Sequence, residues 1–224
     1  MGRLESLGVS YPEGYFLRLS KKYSSKGVAY PRTLMRIGEP NIRKHPNYKD
    51  IIKKGGKFLD CGCGTGDDIR ELLREGYPRE KIIGYDVNWK SINLGLDLYM
   101  DREEMRRIFI VSPFFRFKNR EFNIIYSGSV LHTMRNKKSI LNYLANCRRA
   151  LKNEGIVFGS TLGTRQKTKN PKRLTVLTKE ELTVLLEENG FGAIKIVDTE
   201  NPHSDRPRLR LWFYALKRVD YNRS

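Results

Sequence analysis

The run Phe58-Leu59-Asp60-Cys61-Gly62-Cys63-Gly64-Thr65-Gly66 decides the fold. KFLDCG (57–62) reads as a buried strand, and Asp67 to Glu75 carries Ile69, Leu72 and Leu73 at helical spacing. The glycines therefore fill a strand-to-helix turn. There the missing Cβ atoms let backbone approach a ligand, and the amides opening the helix face it. The spacing is D-x-G-x-G-x-G; it is not the dinucleotide pattern G-x-G-x-x-G, and no G-x-x-x-x-G-K-[ST] is present for a triphosphate. The ligand expected is nucleotide-like but neither NAD nor ATP. Asp86 closes the next strand, KIIGYD (81–86), about twenty residues beyond Gly66, the place from which a carboxylate reaches a ribose diol.

Outward from this core the same alternation continues. IFIVS (108–112, halted by Pro113), FNIIYSGS (122–129) and GIVFGSTL (155–162) read as strands. Trp89 to Arg107 and Ser139 to Leu151 read as helices, the second closed by Asn153-Glu154-Gly155. Thr178 opens a further helix as a capping box with Glu181, and Asn189-Gly190 ends it. AIKIVDT (193–199) and LRLWFYAL (209–216), joined by a short Pro-bearing connection, form an antiparallel hairpin. This order builds a parallel sheet covered on both faces. The first fifty-odd residues are polar, Tyr-rich and irregular, and read as a lid.

Composition narrows the class. The chain has 224 residues, 43 Lys+Arg against 25 Asp+Glu, a net charge of +18, and 39% hydrophobic residues, enough for one sizeable core under a positive surface. No apolar run reaches membrane-spanning length, and MGRLESLGVSYPEG lacks the apolar stretch of a secretory signal. The three cysteines form no disulfide framework, and Cys61-x-Cys63 lacks the partners of a zinc site, so no metal is expected. An intracellular, cytoplasmic setting without membrane attachment is the expectation.

FLDCGCGTG, GYD, FNIIYSGSVLH, RRALKNEGIVFGST and the final hairpin together resemble the class I S-adenosylmethionine-dependent methyltransferases. The segment from Ile42 to Met105 is also similar to small fungal methyltransferases that tailor terpenoids and polyketides. The resemblance implies an α/β, Rossmann-like three-layer sandwich with a mostly parallel seven-stranded sheet and an antiparallel last strand. Residues 1–55 would be an N-terminal extension or lid and 56–224 the methyltransferase domain. S-adenosyl-L-methionine would be the cofactor. By this likeness Asp60, Gly62, Gly64 and Gly66 hold its methionine part, with Cys61 and Cys63 in the variable positions of the loop. Asp86 bonds the ribose hydroxyls, and Val87 and Asn88 border the adenine. The family often has an acidic residue after the third strand; here Ser112-Pro113-Phe114 stands there, which leaves adenine to backbone at Ser112 and to Phe114. Ser127 and Ser129 would face the sulfonium and the acceptor.

Of His45, His132 and His203, His132 is best placed to act, either as a base for a hydroxyl or amine or to orient a carboxylate or shape the pocket. The expected acceptor is an oxygen, carboxylate or hydroxyl, of a small molecule. The alternative is RNA or a nucleic-acid-associated protein, suggested by Lys53-Lys54, Arg116 to Arg120, Arg135 to Lys138 and the loop bearing Arg165, Lys167, Lys169, Lys172 and Arg173. That loop reads first as a solvated face and, as the alternative, as a grip on an anion. Trp89 and Phe114 read as core or as adenine neighbours, and Tyr11, Tyr15, Tyr23 and Tyr30 as exposed scatter or an acceptor pocket.

Overall fold

Seven strands form one mixed sheet in the order β3-β2-β1-β4-β5-β7-β6 in a computed structural model that describes residues 10–24, 38–166, 174–200 and 209–219. The strands are β1 (Phe58–Cys61), β2 (Ile82–Asp86), β3 (Phe109–Val111), β4 (Phe122–Gly128), β5 (Leu151–Gly163), β6 (Phe191–Glu200) and β7 (Leu209–Lys217). The described pairings β1–β4, β2–β3 and β4–β5 are parallel, while β7 runs antiparallel to both β5 and β6. This is the Rossmann-like α/β sheet expected from the sequence. The chain divides into two compact units. One contains Cys63–Phe114 with the described residues ahead of Pro40; the other contains Asn41–Gly62 and the residues from Phe115 onward.

The first unit holds β2 and β3 with helices α1 (Tyr15–Ser24), α3 (Asp67–Arg74), α4 (Trp89–Leu98) and α5 (Arg102–Met105). The single helix expected over Trp89 to Arg107 is broken here. Met100 adopts a left-handed φ of 54°, and Arg70, itself buried, clamps the next residue, Asp101, through Nε and Nη2 at 2.7 and 2.8 Å. The N-terminal stretch is likewise not irregular throughout. In α1, Lys22 and Tyr23 donate to Asp97 of α4 at 2.7 and 2.6 Å, and the Tyr15 hydroxyl donates to the Asp97 carbonyl at 2.8 Å. Tyr11 bonds the Leu98 carbonyl. Burial pushes the Asp97 carboxyl up, but bonds from Arg102, Lys22 and Tyr23 together hold it below the usual carboxylate range. These tyrosines are thus anchoring residues rather than surface scatter; Tyr30 lies outside the described residues.

The second unit holds the other five strands with α2 (Tyr48–Lys53), α6 (Lys137–Ala150) and α7 (Lys179–Glu188). Its core includes Phe58, Tyr126, Phe158 and Phe213, all fully buried, with Phe158 edge-on to Phe58 and tilted against Tyr126. The Thr178 capping box forms as expected: Thr178 Oγ1 accepts from the Glu181 amide at 3.2 Å, and Glu181 accepts from the Thr178 amide at 3.0 Å. Two boundaries differ from the sequence reading. Asn136 caps α6, which starts two residues early, and the helix ends at Ala150 rather than at Asn153-Glu154-Gly155. Leu151 turns extended to pair with Phe122, so β5 begins where the helix stops, and Glu154 takes a left-handed φ of 58° within it. Leu151 is fully buried, and that tertiary pairing overrides the helical spacing.

Candidate functional site

The glycine turn leaves β1 at Cys61 and enters α3 at Asp67, and its three glycines all have left-handed φ values of 90°, 55° and 79° at Gly62, Gly64 and Gly66. Their surroundings differ. A Cβ on Gly62 would lie 2.3 Å from Cγ2 of Val130, and one on Gly66 would strike Phe109 and Arg70. A Cβ on Gly64 would meet nothing within 4 Å. Packing requires the outer two glycines; Gly64 faces open space, where the backbone can be approached. Cys61, the last residue of β1, and Cys63 in the turn are buried and outside any disulfide, and Asp60 is buried in β1.

In the first unit, Asp86 stands at the end of β2, turned to the loop. Its Oδ2 accepts from the Gly64 amide and its Oδ1 from the Asn88 amide, both at 2.8 Å. Burial pushes the Asp86 carboxyl up, opposed by the amides of Asn88, Gly64 and Val87. A carboxylate has about four lone-pair positions, so these three amides leave it able to accept a further hydrogen bond. Asn88 is spent locally: its side chain caps α4 by accepting from the Lys90 amide at 3.1 Å. The Ser112 amide donates to the Asp86 carbonyl at 3.2 Å, and Ser112 Oγ accepts from the Phe114 amide at 3.1 Å. Val87 and Phe114, next to this joint in sequence, are 63% and 59% exposed, and Trp89 is 52% exposed. The core reading of Trp89 and Phe114 is therefore overturned. Exposed apolar surface beside a hydrogen-bonding carboxylate suits a nucleoside, and the open face at Gly64 suits the chain attached to it.

The second unit carries the other expected residues. Ser127 is fully buried and accepts from the Tyr143 hydroxyl of α6 at 2.8 Å, so it is turned toward that helix. Ser129, two residues on, is half-buried with φ of 62°, and its hydroxyl accepts from Arg210 of β7 at 2.8 Å. Arg210 was not singled out in the sequence, where it is the one charged residue within the apolar run LRLWFYAL (209–216). His132 lies on the turn Leu131–Thr133; its Nδ1 accepts from the Leu162 amide at 3.3 Å and lies 3.4 Å from Thr161 Oγ1. A backbone amide can only donate, so Nδ1 is an acceptor and the neutral ring carries its proton on Nε2. His45 is excluded as a base: it is buried, its Nδ1 accepts from the Asn47 amide at 3.1 Å, and its Nε2 bonds the Phe213 carbonyl at 2.9 Å. His203, Lys167, Lys169, Lys172 and Arg173 lie outside the described residues. Among the described residues no group of His, Cys, Asp and Glu could hold a metal ion, and no helix is long and apolar enough to cross a membrane.

Comparison with known proteins bears on this geometry. A family model described as "Methyltransferase domain" matches residues 52–190. The methyltransferase adrK of Penicillium rubens is 35% identical over 95 residues, covering 39% of this chain and 34% of adrK. The O-methyltransferase phiE of a fungal species is 28% identical over 103 residues, covering 41% of this chain and 34% of phiE. The chain thus matches about a third of the length of these curated relatives. Among solved structures, a SAM-dependent methyltransferase of Methanosarcina mazei superposes with a TM-score of 0.61 at 17% identity, over 79% of this chain and 99% of that one.

Proposed function

We propose, from the premise that the chain belongs to the methyltransferase-domain family and takes S-adenosylmethionine as its methyl donor, that it methylates an oxygen of a small molecule. The observation that carries the reading is the pairing of an open glycine, Gly64, with a carboxylate, Asp86, held against the same loop by the Gly64 amide. The family motif assigns the donor to Asp60, Gly62, Gly64 and Gly66, with Cys61 and Cys63 supplying backbone between them. Asp86 takes the ribose on its remaining lone pair. Val87 and Phe114 flank the base, and Asn88 and Ser112 contribute backbone. When bound, the donor supplies a methyl group already activated on a sulfonium, so this chain has to align the acceptor and exclude water.

An oxygen acceptor is supported by the relative named as an O-methyltransferase and by His132. With Nδ1 accepting from Leu162, the neutral imidazole offers an Nε2–H, a group that orients an oxygen lone pair. Between acting as a base and orienting the acceptor, orientation fits this tautomer. Two measurements test the proposal: calorimetry with S-adenosylhomocysteine, and transfer of labelled methyl from S-adenosylmethionine to a panel of small acids, phenols and alcohols. Binding together with label in a small product is expected. No heat on titration would remove the donor assignment, and label confined to RNA or protein would remove the small-molecule acceptor.

A further inference from the structure

In the first unit one buried cation reaches the backbone of the glycine turn. Arg70, near the start of α3, is buried and folds its guanidinium back over the turn. Nε and Nη2 donate to the two carboxylate oxygens of Asp101 at 2.7 and 2.8 Å, and Nη1 donates to the Thr65 carbonyl at 2.7 Å. The guanidinium carbon lies 4.0 Å from the centre of the Tyr99 ring, a cation–π contact. The Tyr99 hydroxyl bonds Asp67, which also accepts from the Thr65 hydroxyl and, at 3.0 Å, from the Gly38 amide.

Taking an ion pair out of water costs much of what its attraction returns, so stability alone is a weak reason for this pair. Its third bond offers another reason. Two glycines make room for the same carbonyl and its donor. A Cβ on Gly95, within α4, would lie 2.0 Å from the Thr65 oxygen, and a Cβ on Gly66 would lie 2.8 Å from Arg70 Nη1. A glycine inside a helix gives up stability relative to alanine, and here it seats a neighbouring carbonyl.

The Gly66 amide donates to the Cys63 carbonyl at 2.8 Å, closing a four-residue turn in which Gly64 is second, at φ of 55°. The middle peptide of such a turn, between Gly64 and Thr65, is its freest unit, because glycine puts no side chain in the way of rotation. Asp86 holds one side of that peptide by accepting from the Gly64 amide at 2.8 Å. Arg70 holds the other side at the Thr65 carbonyl. Between these two anchors lies Gly64, whose face is open.

Resting on the methyltransferase reading, we propose that Arg70 is a positioning residue for the methyl donor: its bond to the Thr65 carbonyl keeps the glycine turn in its binding shape before the donor arrives. It acts through Thr65 rather than by contact with the donor. Apparent affinity scales with the fraction of chains whose turn is ready, and the clamp raises that fraction. Lysine cannot substitute, because a single ammonium lacks the planar fork that spans both Asp101 oxygens and the carbonyl.

The test compares the full wild-type chain with Arg70→Lys, Gly95→Ala and Tyr23→Phe. Gly95→Ala pushes on the same carbonyl with the guanidinium intact, and Tyr23→Phe loosens the same unit at the contact of α1 with α4, away from the turn. Calorimetry with S-adenosylhomocysteine should show binding about tenfold weaker for Arg70→Lys and Gly95→Ala, and wild-type binding for Tyr23→Phe. Hydrogen exchange followed by NMR gives a readout that a general loss of stability does not reproduce. Without ligand, the Gly64 and Gly66 amides of Arg70→Lys should exchange faster than in wild type while the amides of β2 keep their protection, and saturating S-adenosylhomocysteine should restore both glycines. Wild-type affinity in Arg70→Lys or Gly95→Ala, an equal loss in Tyr23→Phe, or exchange quickened as much in β2 as at the two glycines overturns the inference. Failure of the wild-type chain to bind S-adenosylhomocysteine instead overturns the methyltransferase reading beneath it.

Discussion

Alanine at Gly64 separates the binding role of the loop from its structural role. At φ of 55° an L-residue pays about 1–2 kcal/mol for the left-handed conformation, offset in part by the stiffer unfolded chain that alanine gives. No atom lies within 4 Å of the new methyl, so no steric term is added. The net loss is about 1 kcal/mol, a fall in melting temperature of about 2–4 °C for a chain of this size. Gly62→Ala is the control. Its Cβ would sit 2.3 Å from Val130 Cγ2, so overpacking of about 1–3 kcal/mol adds to the backbone strain. If Gly64 faces the donor, its alanine variant loses about tenfold or more in affinity for S-adenosylhomocysteine, because the methyl occupies the space the ligand needs. Thermal melting without ligand and calorimetry with it measure the two effects on the same samples. Gly64→Ala with wild-type affinity and a small loss of melting temperature would show that the open face of the loop is not the binding face.

Other residues give equally direct tests. Burial raises the Asp86 carboxyl, so below its ordinary value the fold carries no penalty, and stability is lost as pH rises through the raised value; Asp86→Asn removes this pH dependence but also one of the two acceptors for the Gly64 and Asn88 amides, and should bind S-adenosylhomocysteine about tenfold or more weakly. Calorimetry showing unchanged affinity would mean the ribose lies elsewhere. Burial lowers His45, whose Nδ1 must stay unprotonated to accept from Asn47, so its stabilisation is present above the ordinary histidine value and lost as pH falls through the lowered one. Melting curves of wild type and His45→Gln should converge toward acid; a constant gap contradicts this. Tyr23→Phe removes the 2.6 Å bond to Asp97 and should cost about 1–2 kcal/mol, read as faster hydrogen exchange across Tyr15–Ser24 with exchange in β4 unchanged.

The order of strands and helices was legible because buried parallel strands are continuous apolar runs and the intervening helices carry a separate period, as in FLDC, IIGYD and FNIIYSG. Boundaries failed where a distant partner decided the backbone. Leu151 completes the helical face in sequence, yet it leaves the helix because Phe122 is available to pair with it. Met100 gives no local sign of a left-handed turn; Arg70, thirty positions earlier, sets that break by holding Asp101. The N-terminal tyrosines looked like scatter because their partners, Asp97 and Leu98, are more than seventy residues away.

The glycine turn and the polar corner at Arg210 differ in legibility for a related reason. The proposed donor site is written in one short turn and one strand end, where glycine and aspartate follow a local pattern. The polar corner at Arg210 is written across three strands: Ser129 follows β4, Ser160 lies in β5 and Arg210 in β7, with fifty residues between the last two. In sequence Arg210 is one more basic residue among 43 Lys+Arg. Only the antiparallel register of β7 places it opposite Leu162 and makes its charge the orienting element for a serine eighty-one positions away. The total charge of +18 is a sum over the surface, whereas the buried guanidinium bonded to Ser129 and Ser160 orders a particular corner, because a cation taken from water interacts more strongly with its neighbours than one left at the surface.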